Sequence, residues 1–100
     1  MKLISYTAKP DRAEENRAQI RNVFQALRAA QPAGLSYMVL EAEDGRFLHM
    51  VETSDPAALE ALRSTPAFRT FTGTVGDRQV APPTTTAVTL VGRYGILEQP

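Results

Sequence analysis

The sequence has no cysteine, no tryptophan and a single histidine, and its eleven Lys and Arg are balanced by eleven Asp and Glu over 100 residues. Without cysteine there are no disulfides and no thiolate metal sites, a composition that suits the cytoplasm, where the protein is expected to reside. One histidine and no cysteine cannot supply the usual zinc ligand sets, so no metal is expected. A hydrolase triad would have to be built on that one histidine alone. A formal net charge of zero lacks the basic excess that phosphate backbones demand, so no nucleic-acid partner is expected. No apolar run approaches a membrane span, and the opening MKLISY has no signal-type apolar region, so no membrane partner is expected either. No glycine-rich loop of phosphate-binding spacing follows a strand-like segment.

What is present suffices for one small core. A hydrophobic fraction of 43% in a chain of this size predicts a single domain over residues 1–100. The organising stretch is Leu35 to Thr53, LSYMVLEAEDGRFLHMVET, two strand-like runs separated by Asp44-Gly45. Asp-Gly between such runs predicts a hairpin with a two-residue type I′ turn. That turn sets Glu43 opposite Arg46 and Ser36 opposite Thr53. One face then carries Met38, Leu40, Ala42, Phe47, His49 and Val51, the other Leu35, Tyr37, Val39, Leu48 and Met50 with Glu41 and Glu52. Both faces are mostly apolar, so both require cover.

Around this hairpin the chain predicts a strand over Lys2 to Lys9, with Ile4, Tyr6 and Ala8 on one side. A helix follows from Asp11, with Glu14 completing a capping box, to about Ala30 before Pro32 and Gly34. Its apolar stripe is Ala13, Ile20, Val23, Phe24 and Leu27, with Asn16 inside it and Arg17, Arg21 and Arg28 along one flank. These arginines are a solvated shoulder covering apolar surface with their stems, or else an anion-steering rim. Asp55-Pro56 and Thr65-Pro66 each start a further short helix, the second ending near Thr72 because Gly73 and Gly76 weaken it. A last strand runs from Thr84 to Tyr94. Strand, helix, hairpin, broken helix, strand is the α+β, ferredoxin-like βαββαβ order, with helices on one sheet face. The other face predicts a second copy packed sheet to sheet, a homodimer.

The segments KPDRAEENRAQIRNVFQALR, GLSYMVLEAEDGRFLHMVE and TPAFRTF, then paired prolines and a final strand, resemble the antibiotic biosynthesis monooxygenase family. The resemblance implies a dimeric α/β barrel of ferredoxin-like protomers, each with a pocket between sheet and helices for an aromatic molecule or a haem. Some members oxidise quinol-type polyketides with dioxygen and no cofactor. Others degrade haem with an asparagine, tryptophan and histidine constellation, against which the absence of tryptophan here argues. The implied function is thus a cofactor-independent monooxygenase-like protein taking an aromatic or quinol-type ligand. The alternative is a non-catalytic ligand-binding or stress-associated dimer of the same fold.

His49 is the one side chain suited to acid–base work without a large pKa shift, and is either a proton-abstracting base or a core residue. Asn16 either stabilises an enolate or bonds nearby backbone at the helix start. Tyr6 and Tyr37 offer phenols from strands, while Phe24, Phe68 and Phe71 either wall an aromatic pocket or pack the core.

Overall fold

The computed structural model describes residues 1–95. Strand β1 (Lys2–Thr7) leads through a 3₁₀ turn (Pro10–Arg12) into helix α1 (Ala13–Ala30). The hairpin β2 (Leu35–Glu41) and β3 (Arg46–Thr53) follows, then α2 (Pro56–Arg63), α3 (Pro66–Thr74), a second 3₁₀ turn (Val75–Arg78) and β4 (Thr84–Ala87). The four strands form one antiparallel sheet in the order β2-β3-β1-β4. This is the split βαβ arrangement of a ferredoxin-like fold.

The hairpin turns differently from the sequence expectation. Ala42 N–H donates to the Arg46 carbonyl at 2.8 Å and Gly45 N–H to the Ala42 carbonyl at 3.0 Å, leaving a three-residue loop, Glu43 to Gly45. Gly45 alone takes a positive φ, +93°, so the loop is a type I turn closed by a left-handed residue. Asp44 stays on the negative side, and its Oδ1 accepts the Arg46 N–H at 3.1 Å. The extra residue slips the pairing by one: Leu35 lies opposite Thr53 and Val39, not Leu40, opposite His49. A one-residue slip exchanges faces. Phe47, His49 and Val51 therefore share a side with Tyr37 and Val39, and with Ile4 and Tyr6 of β1. The outer face carries Leu3, Met38, Leu40, Leu48 and Met50, with Met38 and Leu40 exposed.

The core fills the space between the inner face and the helices: Tyr6, Ala8, Ile20, Val23, Phe47 and Phe71 form one buried cluster. Ile20 and Val23 come from the predicted stripe of α1, so the 3.6-residue period was a faithful guide to which side packs. Asp11 and Glu14 do not form the expected capping box, because Pro10 opens a 3₁₀ turn and the α-helix starts at Ala13 with no side-chain cap. Its far end closes on Gln31, left-handed at φ 48°, with N–H to the Leu27 carbonyl at 2.7 Å. Asp55 caps α2 as expected, accepting from Ala58 N–H at 2.9 Å.

Two further expectations are corrected. Helix α3 runs past Thr72 through Gly73 to Thr74, and the following 3₁₀ turn carries the chain on to Arg78. The last strand is only Thr84–Ala87, and Leu90, Val91 and Tyr94 lie exposed beyond it. β-branched residues favour a strand only where a neighbouring strand supplies the ladder.

Candidate functional site

Behind Arg78 the backbone is tied to the end of β1. Lys9 N–H donates to the Arg78 carbonyl at 2.8 Å and Val80 N–H to the Thr7 carbonyl at 2.9 Å. That tether turns the Arg78 side chain into the core, where it is fully buried. Its Nε donates to Asn16 Oδ1 and its Nη1 to Thr74 Oγ1, both at 2.9 Å, and its guanidinium lies over the Phe71 ring at 5.6 Å. Glu15, half exposed, is 3.6 Å away. Arg78 Nη2 has no hydrogen-bond partner among the described residues.

From Asn16 a line of polar groups crosses the core. Asn16, fully buried, donates its Nδ2 to the Tyr6 hydroxyl at 2.9 Å. The Tyr6 hydroxyl lies 2.9 Å from His49 Nε2, and His49 Nδ1 lies 2.8 Å from the Tyr37 hydroxyl. The helical and strand periods bring this about: Asn16 is one turn before Ile20 on the buried stripe, while Tyr6, His49 and Tyr37 share the inner sheet face on three adjacent strands.

Burial sets the electrostatics. It pushes the His49 imidazole down to about 4, because an imidazolium here would lose its water, and among the described residues its ring nitrogens meet only the two phenols. Burial also raises the Tyr6 phenol, with the Asn16 hydrogen bond and the Arg78 charge pulling the other way. Tyr37 is raised by burial and, secondarily, by Tyr6. The resting site is therefore two neutral phenols and a neutral imidazole beside one buried cation.

A broad open hollow of about 1340 Å³ wraps the edge of β2. Its inner limb lies between α1 (Ile20, Phe24, Arg28) and β2 (Tyr37, Val39), and its outer limb passes Met38 and Met50. Tyr37 is the member of the polar chain that lines it; His49, Asn16, Tyr6 and Arg78 do not. The Phe24 ring stands 5.1 Å from Tyr37, and Phe68 packs edge-on to Tyr37 at 6.3 Å. Phe71 stacks on His49 at 5.5 Å, inside the core.

His49 and Asn16 are thus brought together through Tyr6 and enclosed, with 3% and 0% exposure. Asn16 bonds two side chains rather than the backbone near the helix start. The three flank arginines divide. Arg17 pairs with Glu41 at 2.7 Å and with Glu14, Arg21 stays exposed 3.8 Å from Glu14, and Arg28 lies over the Phe24 ring at 6.0 Å. Arg78 was not foreseen. It sits outside any periodic segment, and the one hint was Asn16, a polar residue on a buried stripe that had to find polar partners.

The profile of the antibiotic biosynthesis monooxygenase family matches residues 1–73. Among curated proteins none matches the sequence. Among solved structures, Rv0793 of Mycobacterium tuberculosis is 20% identical, with a TM-score of 0.73 over 94% of this chain and 96% of that one. PA3566 of Pseudomonas aeruginosa is 21% identical, with a TM-score of 0.70 over 91% and 92%. A protein of Bacteriodes thetaiotaomicron, provisionally assigned as an antibiotic biosynthesis monooxygenase, is 16% identical with a TM-score of 0.75 over 97% and 93%. At these identities the likeness is one of fold. With the profile spanning β1 through most of α3 and the sheet order agreeing, the chain belongs to the antibiotic biosynthesis monooxygenase family.

Proposed function

We propose that this chain is a monooxygenase-like protein that binds an aromatic, quinol-type molecule in the inner limb of the hollow, between α1 and β2. The observation that carries this reading is the placement of Tyr37, a phenol that lines the hollow while its oxygen is held by a buried polar chain. Phe24 offers a ring wall, and Arg21 and Arg28 supply positive charge at the rim. A hydrogen bond from Tyr37 to the ligand's phenolic or enolic oxygen strengthens as that oxygen becomes an anion. Water in the open hollow takes the ligand's C–H proton, and the electron-rich carbanion so formed can give its electrons to dioxygen without a cofactor. With anthrone as substrate the balance is complete: the ring CH₂ becomes C=O, one oxygen atom enters the product, and the other leaves as water with the two hydrogens.

In this reading His49 and Asn16 do not touch the ligand. His49 holds the Tyr37 hydroxyl directly and is itself held by Asn16 through Tyr6, while Phe68 and Phe71 brace the Tyr37 and His49 rings. The protein works as a homodimer whose protomers meet through Leu3, Met38, Leu40, Leu48 and Met50, forming the barrel usual in this superfamily. The test is anthrone oxidation under isotope-labelled dioxygen. One labelled atom per quinone is expected from the parent protein, and a loss of at least about tenfold in rate from Tyr37→Phe, the worth of one hydrogen bond to a charged oxygen. Equal rates in the two proteins, or no rate above the uncatalysed reaction, sink the enzymatic reading. Binding of anthrone without turnover would instead establish the non-catalytic ligand-binding dimer. That second reading is favoured by the enclosure of His49, which leaves the imidazole with no access to the hollow.

A further inference from the structure

The buried polar chain has only one consistent direction. Arg78 can donate but not accept, so the Asn16 atom facing its Nε must be the carbonyl oxygen, which turns the Asn16 amide N–H toward Tyr6. The Tyr6 oxygen thereby accepts, and its own hydrogen still needs an acceptor in a place closed to water. The remaining neighbour within reach is His49 Nε2, at 2.9 Å. If Nε2 carried a hydrogen, it and the Tyr6 hydroxyl hydrogen would oppose each other, so Nε2 must be bare. A neutral imidazole then carries its hydrogen on Nδ1, which donates to the Tyr37 oxygen at 2.8 Å. Tyr37 accepts, and its O–H is left over, without an acceptor among the described residues, on the one member of the chain that lines the hollow.

We infer that Arg78 is a remote positioning residue. Through Asn16, Tyr6 and the Nδ1–H tautomer of His49 it turns the Tyr37 hydroxyl into a hydrogen-bond donor toward the hollow. The ligand class selected is therefore one presenting an oxyanion, a phenolate or enolate, rather than a donor. The dipoles of the four bonds run head to tail from the cation, so each strengthens the next. The choice of ligand rests on the hollow being the binding site, as proposed above; the direction of the chain does not.

Because His49 is the only histidine, its tautomer can be read without assignment by nitrogen–proton correlation NMR on the ligand-free protein. The parent is expected to show Nδ1–H. Asn16→Asp replaces the amide N–H by a second acceptor while keeping shape. Tyr6 must then donate to residue 16 and accept from His49 Nε2–H, and Tyr37 must donate to bare Nδ1. One nitrogen-to-oxygen change is thus expected to flip the tautomer of a histidine that residue 16 does not touch. A parent with Nε2–H, or a variant that folds and keeps Nδ1–H, overturns the chain. Should Asn16→Asp not fold, the parent spectrum alone still decides the direction.

The ligand class is read with p-nitrophenol, whose ionisation on binding is followed by absorbance. Bound to the parent it should ionise at lower pH than in solution, and its anion should bind at least about tenfold more weakly to Asn16→Asp and to Tyr37→Phe. Equal anion affinity in all three proteins overturns the selection of an oxyanion. An Nδ1–H parent that binds no p-nitrophenol overturns the selection too and removes the hollow as the site, while the chain's direction stands.

Discussion

Acid is expected to destabilise this protein through one residue. His49 is buried and neutral, with its conjugate acid pushed down to about 4, against 6.5 for an imidazole in water. Above pH 6.5 both the folded and the unfolded chain hold a neutral ring, and His49 contributes no pH dependence. Below 6.5 the unfolded chain takes up a proton that the folded protein refuses until about pH 4. Stability therefore falls as pH drops through that window, by about 1.4 kcal/mol per pH unit for one proton. The full interval amounts to about 3 kcal/mol, a large share of the 5–15 kcal/mol typical of small domains. Between pH 7.5 and 5 about 2 kcal/mol of this should already be lost. That upper part isolates the histidine, because the carboxylates held below their ordinary range, Glu15 and Asp44, come into play only nearer pH 4. The assay is urea unfolding followed by circular dichroism at fixed protein concentration, at pH 7.5, 6 and 5, for the parent and for His49→Gln. The parent should lose stability across the series and the variant should not. A flat parent profile, or an imidazole NMR titration near 6.5 in the folded protein, would refute the placement of His49 in a water-free core.

Four other outcomes are expected. Gly45→Val should lower stability by about 1–3 kcal/mol in denaturant titration, because φ +93° strains any β-branched residue although its Cβ would meet only ordinary contacts, Thr7 Cγ2 at 3.8 Å and the Ala8 carbonyl at 4.0 Å; an unchanged midpoint would contradict the loop geometry. Asn16→Leu should lose about 2–5 kcal/mol by leaving the Arg78 Nε without its acceptor and the Tyr6 oxygen without its donor in the core, and a loss below about 1 kcal/mol would mean that water reaches those groups. Light scattering behind a sizing column should give a mass near twice 11.0 kDa, falling to the single-chain value when Met38 and Leu40 are both replaced by aspartate; a monomeric parent at micromolar concentration would remove the outer face as an interface. Asp55→Ala should cost about 1 kcal/mol through the lost cap on Ala58 N–H, read from thermal unfolding.

The order of elements and the identity of the buried helical stripe were written locally. Ala13–Ala30 carries its period within itself, the Asp55-Pro56 start needs only its own backbone, and Ile20 and Val23 face inward as the wheel places them. Asp44-Gly45 likewise announced a reversal, since left-handed backbone there calls for glycine. What local chemistry left open was the number of residues in that turn. Asp44 can serve a two-residue or a three-residue loop, and one residue decides which face each β2 side chain takes relative to β3. Only the packed sheet chose, by burying Phe47 and His49 with Tyr37 rather than with Met38 and Leu40.

The candidate site divides along the same line. His49, Asn16, Tyr6 and Tyr37 were each legible as polar residues on apolar faces, because such a residue must be satisfied or functional wherever it lies. Their connection was not legible, since it depends on three strands in register and a helix above them. Arg78 least of all could be foreseen. Its burial follows from a backbone tether to Lys9 and Thr7, some 70 residues away in sequence, and no pattern around GDRQV encodes that meeting. The sequence by itself determined which groups would need partners, while the tertiary structure decided which partners they have. Through the single direction those partners allow, it also decided that the open end of the chain is Tyr37 rather than His49.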